Sequence, residues 1–357
     1  MKNIFISGIS GFIGTHITIE GIRRGYHITG TTRSQKKEEE VKKTIANELG
    51  EEALKSLTVF HCDLNSPNGW ADAMKSCDAV LHVASPFPMG LPKHENDLIH
   101  PARNGVKHVF EAAIQNKIYR IVQTSSIAAI MYGHELGKTH FTEEDFTNIN
   151  GAMISPYTKS KTLAEQDVWN YAKQHPALKV SVINPGFVLG PLLNKEIGTS
   201  ADVILKLMKG EFPGVPKLGF PIVDVRDVAA AHYNALENDS SIGERYAVVA
   251  ESFWFKELAQ AILDAYPTYN KKVKARELPN WFLKIFSLFD KPTRMIIDEL
   301  GFCAIISNDK LKRDLKIQPI SAKEAIQASK VAGRITARLI LLLIKKITFA
   351  KNLNDEL

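Results

Sequence analysis

The chain has 357 residues, 45% hydrophobic and 24% charged, proportions that suit a globular protein with a sizeable core and exclude a disordered or fibrous one. Its net charge of +6 is spread over many lysines rather than gathered in an aromatic-laced basic patch, so no nucleic-acid partner is expected. Cys62, Cys77 and Cys303 have no disulfide or metal-ligand spacing and the 11 histidines are scattered, which points to a reducing, cytoplasmic setting and no metal.

In chain order, Ile4-Phe5-Ile6 runs into Ser7-Gly8-Ile9-Ser10-Gly11-Phe12-Ile13-Gly14, a strand, a glycine turn and a helix start in one segment. Gly8 permits the sharp turn, Gly11 lets backbone approach a pyrophosphate, and Gly14 lets helix and strand pack closely. The helix start at Phe12 and Ile13 supplies amide donors and a positive dipole end. Met1-Lys2-Asn3 imitates a secretory leader, but the glycines arrive after too few apolar residues, so none is expected. A second strand covers Tyr26 to Thr32, and Arg33 stands at its end, where such a unit reads the ribose. No acid lies between Gly30 and Lys37 to meet the 2′-hydroxyl of NAD, whereas Arg33, with Lys37 nearby, suits the 2′-phosphate of NADP. Most of the run Lys36 to Lys43 reads as a solvated face.

Apolar stretches at Leu57 to Phe60, Ala79 to Ala84, Ile118 to Thr124 and Val180 to Ile183 alternate with helix-like segments. This alternation predicts an α/β fold, a doubly wound parallel sheet with helices on both faces. Between Asn104 and Asn116, Val106, Val109, Phe110, Ala113 and Ile114 form a core stripe. Thr124-Ser125-Ser126 places hydroxyls at a strand's carboxyl end, where open parallel sheets hold ligands. The stretches Pro86 to Pro92, with Phe87 and Met89, and Gly133 to Ser155 each follow a predicted strand and are expected to shape a substrate pocket.

Ser155-Pro156 opens a helix on which Tyr157 and Lys161, four apart, share a face. A free phenol with pKa about 10 is a poor proton donor at neutral pH, and a neighbouring cation brings it nearer its working range. Pro279 to Phe289 has apolar helical periodicity and reads as a core helix of a smaller lobe. Near the end, Leu339 to Ile344 is flanked by Arg334, Arg338, Lys345, Lys346 and Lys351; it is too short to span a membrane. It is expected to pack on the protein or a partner, with membrane-surface contact through 334–351 as the alternative.

Glycine turn, hydroxyl cluster and Tyr-Lys pair, in this order, resemble the extended short-chain dehydrogenase/reductases, which use a Rossmann fold. Within them the chain is similar to the dihydroflavonol reductase-like group, which includes plant cinnamoyl-CoA reductases and fungal NADPH-dependent aldehyde reductases. Arg33-Ser34-Gln35 with Lys37 resembles the group's phosphate-binding segment, Cys62-Asp63-Leu64 its adenine contact, and His82-Val83-Ala84-Ser85-Pro86 the strand beside the nicotinamide ribose. Asn184-Pro185-Gly186-Phe187-Val188-Leu189-Gly190-Pro191 resembles the segment that closes over the nicotinamide, and Val223 to Ala229 and Ser307 to Leu311 also fit. The similarity covers roughly residues 1 to 330.

The resemblance implies catalytic roles for Ser126, Tyr157 and Lys161, with Ser125 the alternative serine. It implies that NADP(H) is held by Gly8, Gly11, Phe12, Ile13, Gly14, Arg33, Lys37, Asp63, Leu64, Val83, Ala84, Ser85, Thr124, Tyr157, Lys161, Pro185 and Val188. Residues 1–186, with a returning segment near 221–236, are expected to bind the dinucleotide; 187–330 supply mainly the substrate lobe, and 331–357 form a basic-apolar tail. The expected activity is NADPH-dependent reduction of a small ketone or aldehyde to the alcohol, by a monomer or homodimer. Two other readings use the same scaffold. A nucleotide-sugar epimerase or dehydratase holding NAD is opposed by Arg33 and by the absence of carboxylates after Ser126; a non-catalytic NADP-binding protein is opposed by the presence of both Tyr157 and Lys161.

Overall fold

The structure, a computed structural model, describes residues 1–86, 92, 94–194 and 198–329; Phe87, Met89 and the segment 334–351 lie outside the described residues. Among the described residues twelve strands run as β1 (Asn3–Ser7), β2 (His27–Thr32), β3 (Leu57–His61), β4 (Ala79–His82), β5 (Arg120–Thr124), β6 (His140–Phe141), β7 (Lys179–Pro185), β8 (Phe187–Leu189), β9 (Gly219–Asp224), β10 (Arg245–Val248), β11 (Glu251–Trp254) and β12 (Ile305–Ile306). The α-helices are α1 (Phe12–Arg23), α2 (Gln35–Leu49), α3 (Trp70–Met74), α4 (Asn96–Gln115), α5 (Pro156–Gln174), α6 (Thr199–Lys209), α7 (Val225–Glu237), α8 (Phe255–Ala265), α9 (Asn280–Phe286), α10 (Lys291–Ile296), α11 (Asp309–Asp314) and α12 (Ala322–Ala328).

Seven strands pair in parallel in the order β10-β7-β5-β4-β1-β2-β3. Strand order reverses between β1 and β4, the switch point where a doubly wound sheet opens a ligand crevice at its carboxyl edge. Side-chain alternation builds the two faces. Ile4 and Ile6 join one buried cluster with Ile17 of α1 and Val228 of α7; Phe5, between them, joins another with Trp70 of α3, Phe110 of α4 and Val168 of α5. The core stripe predicted at 104–116 lies in α4, which extends back to Asn96 across Pro101. A third cluster, from α6, α8 and α12, forms a smaller body around the β11-β9-β8 sheet.

The segment 279–289 departs from its expected place. It is helical as α9, yet only Leu283 and Ser287 are buried, and Trp281, Phe282, Ile285, Phe286, Leu288 and Phe289 are exposed. Periodicity reports only that one face of a helix is apolar; here the other face is apolar too, so burying Leu283 leaves most of the stripe outside. Nor is the positive charge evenly spread, because residues 271–294 contain seven Lys or Arg against two Asp or Glu.

Candidate active site

The glycine turn is shaped by what a side chain would strike. Gly8 has φ 72° and a Cβ there would sit 2.9 Å from Ala84, while a Cβ on Gly14 would sit 2.2 Å from the Gly8 carbonyl oxygen. Gly11, at the N-cap of α1, meets nothing nearer than that same oxygen at 3.5 Å. The space over the turn is therefore clear, and with the helix N-terminus behind it the cradle fits a pyrophosphate. Phe12, Ile13 and Val83 pack partly buried against the buried cluster of which Val188 is a member. Pro185 ends β7 just before Val188.

Arg33 emerges exposed beyond β2 and has no ion-pair partner among the described residues. Lys37, in the first turn of α2, donates to Glu40 at 2.8 Å. Beyond β3, Asp63 is exposed and accepts from the Asn65 amide at 2.7 Å, and Leu64 fills the space beside Gly105 of α4.

A buried hydrogen-bonded pair ties the glycine turn to β4, within electrostatic reach of the helix that carries the Tyr-Lys pair. Ser7 Oγ accepts from the Val83 and Ala84 amides, both at 2.9 Å, so its own hydrogen goes to His82 Nδ1 at 2.7 Å. His82 is thereby neutral, with its proton on Nε2. Burial pushes it down to about 3, and the nearby Lys161 ammonium pushes the same way.

Ser155 caps α5 by accepting from the Thr158 amide at 3.1 Å, and Pro156 fills the first turn. Tyr157 and Lys161 share a face, with Nζ 5.9 Å from the ring centre. The Ser126 hydroxyl, which accepts from the Ala128 amide at 3.2 Å, is hydrogen-bonded to the Tyr157 phenol. The other two hydroxyls point elsewhere. His232 donates from Nδ1 to the Val228 carbonyl at 2.7 Å, so Thr124 donates to its Nε2, also at 2.7 Å; Ser125 donates to Glu165. The sequence led us to expect Lys161 to draw the tyrosine down. Burial dominates instead and raises Tyr157, while the Ser126 hydrogen bond opposes it; burial also lowers Lys161 to about 8, against the pull of Glu165.

Two groups escaped the sequence reading. Fully buried Glu165 accepts from Ser125, from Asn184 Nδ2 at 2.7 Å, from Arg245 Nε at 2.5 Å and from Trp169 Nε1 at 3.3 Å. Asn184 also donates to the Ser126 carbonyl at 3.1 Å, and Arg245 to the carbonyls of Ala129, Glu143 and Asp145. The network braces the backbone on both sides of Ser126. Glu165 stands four residues after Lys161, yet in sequence it is one more acid on a charged helix. The second group is Tyr132, which donates to Glu299 at 3.1 Å; burial raises Glu299 to about 7, and Tyr132 lies within electrostatic reach of Tyr157. Beside them Leu136, Gly151, Ala152, Met153, Ile154 and Asp298 line a cavity of about 490 Å³, so part of the expected pocket stretch 133–155 does face open space.

Residues 4–249 match the sequence model of the NAD dependent epimerase/dehydratase family. The chain is 31% identical over 273 residues to cinnamoyl-CoA reductase CAD2 of Medicago truncatula, covering 74% of this chain and 81% of that one. It is 30% identical over 303 residues to cinnamoyl-CoA reductase 1 of Arabidopsis thaliana, covering 84% of each. Among solved structures it resembles the yeast methylglyoxal/isovaleraldehyde reductase Gre2 in complex with NADPH, with a TM-score of 0.76, 25% identity, and coverage of 93% of this chain and 98% of that one.

Proposed function

The chain belongs to the NAD dependent epimerase/dehydratase family, and from that premise we propose that it is an NADPH-dependent reductase converting a ketone or aldehyde to the alcohol. The observation that carries this reading is the meeting of Ser126, Tyr157 and Lys161 at the carboxyl end of the parallel sheet, with the Ser7–His82 pair beside the glycine turn within electrostatic reach of Lys161. In this reading residues 1–186, with 221–236, hold the dinucleotide and 187–330 mainly shape the substrate side. The cofactor, when bound, supplies the hydride. Tyr157 gives its proton to the carbonyl oxygen as negative charge develops there, and Ser126 donates a hydrogen bond to the same oxygen. Lys161 keeps a positive charge beside the phenol and donates to the nicotinamide ribose; Glu165 sustains that charge. Gly8, Gly11 and Gly14 with the amides of Phe12 and Ile13 cradle the pyrophosphate, and Asp63, Leu64, Ala84, Ser85, Pro185 and Val188 flank the rest. Thr124 contributes backbone only, its hydroxyl being turned to His232. The substrate is a small carbonyl compound, the working unit a monomer or homodimer, and three free cysteines suit the cytoplasm.

NADPH oxidation followed against aldehydes, ketones and dihydroflavonols tests the reading. Turnover with one carbonyl class supports it; bound NAD and indifference to NADPH would turn it toward the epimerase. Within the reductase reading, kcat/KM for reduction is expected to fall above about pH 8, because Lys161 loses its charge as pH rises through its lowered value. A profile level to pH 10 would count against that role.

Cofactor choice is carried by Arg33, whose guanidinium can bind the 2′-phosphate bidentately. Charge-assisted bonds of about 1.5 to 3 kcal/mol correspond to roughly ten- to over a hundredfold in affinity. Arg33→Ala is expected to weaken NADPH binding by that factor and leave NADH nearly untouched. Lys37→Ala should lose less, since Lys37 is shared with Glu40. Titration of both cofactors at fixed salt decides it: equal losses for NADH and NADPH in Arg33→Ala would remove Arg33 from the phosphate.

A further inference from the structure

We propose that the face formed by residues 271–289 docks the protein on an anionic lipid bilayer. Among the described residues ten large apolar side chains are exposed, and six of them are Trp281, Phe282, Ile285, Phe286, Leu288 and Phe289. Phe289 is 85% exposed, Leu288 67% and Trp281 66%, so these are whole side chains in water rather than edges of a core. A surface helix of a globular protein normally turns polar residues outward; α9 turns apolar ones outward and keeps only Leu283 and Ser287 inside.

Charge gathers in the same stretch of chain. Residues 271–294 carry seven basic and two acidic side chains, a surplus close to the +6 of the entire chain. Lys271, Lys272, Lys274 and Arg276, with Lys209 and Phe212, border a hollow of about 540 Å³ immediately before α9 in the chain. The acidic neighbours are Glu211, which faces Lys209 at 3.6 Å, exposed Glu277, and Asp290, which is turned into the cap of α10.

Aromatic and aliphatic side chains beside lysines are the composition of an interfacial anchor, with the rings and methyls entering the acyl boundary and the ammonium groups meeting phosphates. A contact with a second protein copy fits less well, because protein interfaces exclude lysine from their centre. Single-stranded nucleic acid would use the rings but leave Ile285 and Leu288 in water.

The test uses the full chain and co-sedimentation with vesicles of phosphatidylcholine alone or mixed with phosphatidylglycerol. Wild type is expected to bind the anionic vesicles about tenfold more tightly or better, and less so at high salt. Phe286→Ser with Phe289→Ser is expected to weaken that binding at least about tenfold, with Tm and reduction of a water-soluble aldehyde unchanged. Lys271→Glu with Lys272→Glu should abolish the preference for anionic vesicles by charge alone, without touching the apolar face. Since both variants keep residues 330–357, undiminished binding in the double-serine variant, or a preference for anionic vesicles that persists in the double-glutamate variant, would place the contact elsewhere and overturn the proposal. A wild type that ignores vesicles overturns it too, as does a double-serine variant whose main change is a lost dimer, or polyuridylate displacing the vesicles at equal charge.

Discussion

Replacing Tyr157 with phenylalanine is expected to lower kcat for carbonyl reduction by roughly 10²- to 10⁴-fold, the usual contribution of a positioned general acid. The ring keeps its place between Ser126 and Lys161, so NADPH affinity should change little. What disappears is the only proton donor in contact with both the Ser126 hydroxyl and the face shared with Lys161 among the described residues. Steady-state turnover and NADPH titration on one preparation separate the two quantities. Full turnover in Tyr157→Phe would sink the assignment, whereas loss of NADPH binding together with turnover would mean that the substitution had damaged the fold.

Glu165→Gln should produce the largest loss of stability. Its carboxylate is fully buried opposite Arg245, whose side chain is 10% exposed, and removing one partner of a buried pair leaves the other charge uncompensated at a cost of about 3–5 kcal/mol. Denaturant unfolding should show that drop, and adding Arg245→Met should restore much of it. Activity should not return with stability. Without the acid, Lys161 loses the interaction that raises it, so the high-pH limb of kcat/KM should move to lower pH in both the single and the double variant. A double variant with a wild-type pH profile would reduce Glu165 to a structural role.

The sheet was readable in the sequence because its inner strands are buried on both faces and stand out as apolar runs; all six expected strands are present as β1 to β5 and β7. The Tyr-Lys pair was readable because it is local, four residues on one helix. The bracing of Ser126 was not, since Glu165, Asn184 and Arg245 come from a helix and two strands and each is unremarkable alone. Sequence left Ser125 and Ser126 open; their hydrogen bonds now point one toward Glu165 and the other toward Tyr157. For α9, periodicity identified the helix and misjudged its surroundings, because an apolar stripe does not say whether protein lies opposite.

The short β12 pairs with β6, matching Ile305 with His140 and Ile306 with Phe141, and Glu299 reaches Tyr132 from the same late stretch of chain. During synthesis, therefore, the site cannot be complete when the sheet is. A nascent chain that has cleared the ribosome through Val248 holds every strand of the seven-stranded sheet and the whole glycine turn. The wall around Tyr132, Phe141 and Ile130 still lacks Ala304 and Ile306, which share its cluster. Until residues 299–306 emerge that wall is an open apolar surface, and the cluster behind the glycine turn is itself still short of Leu311, Leu315 and Ile317.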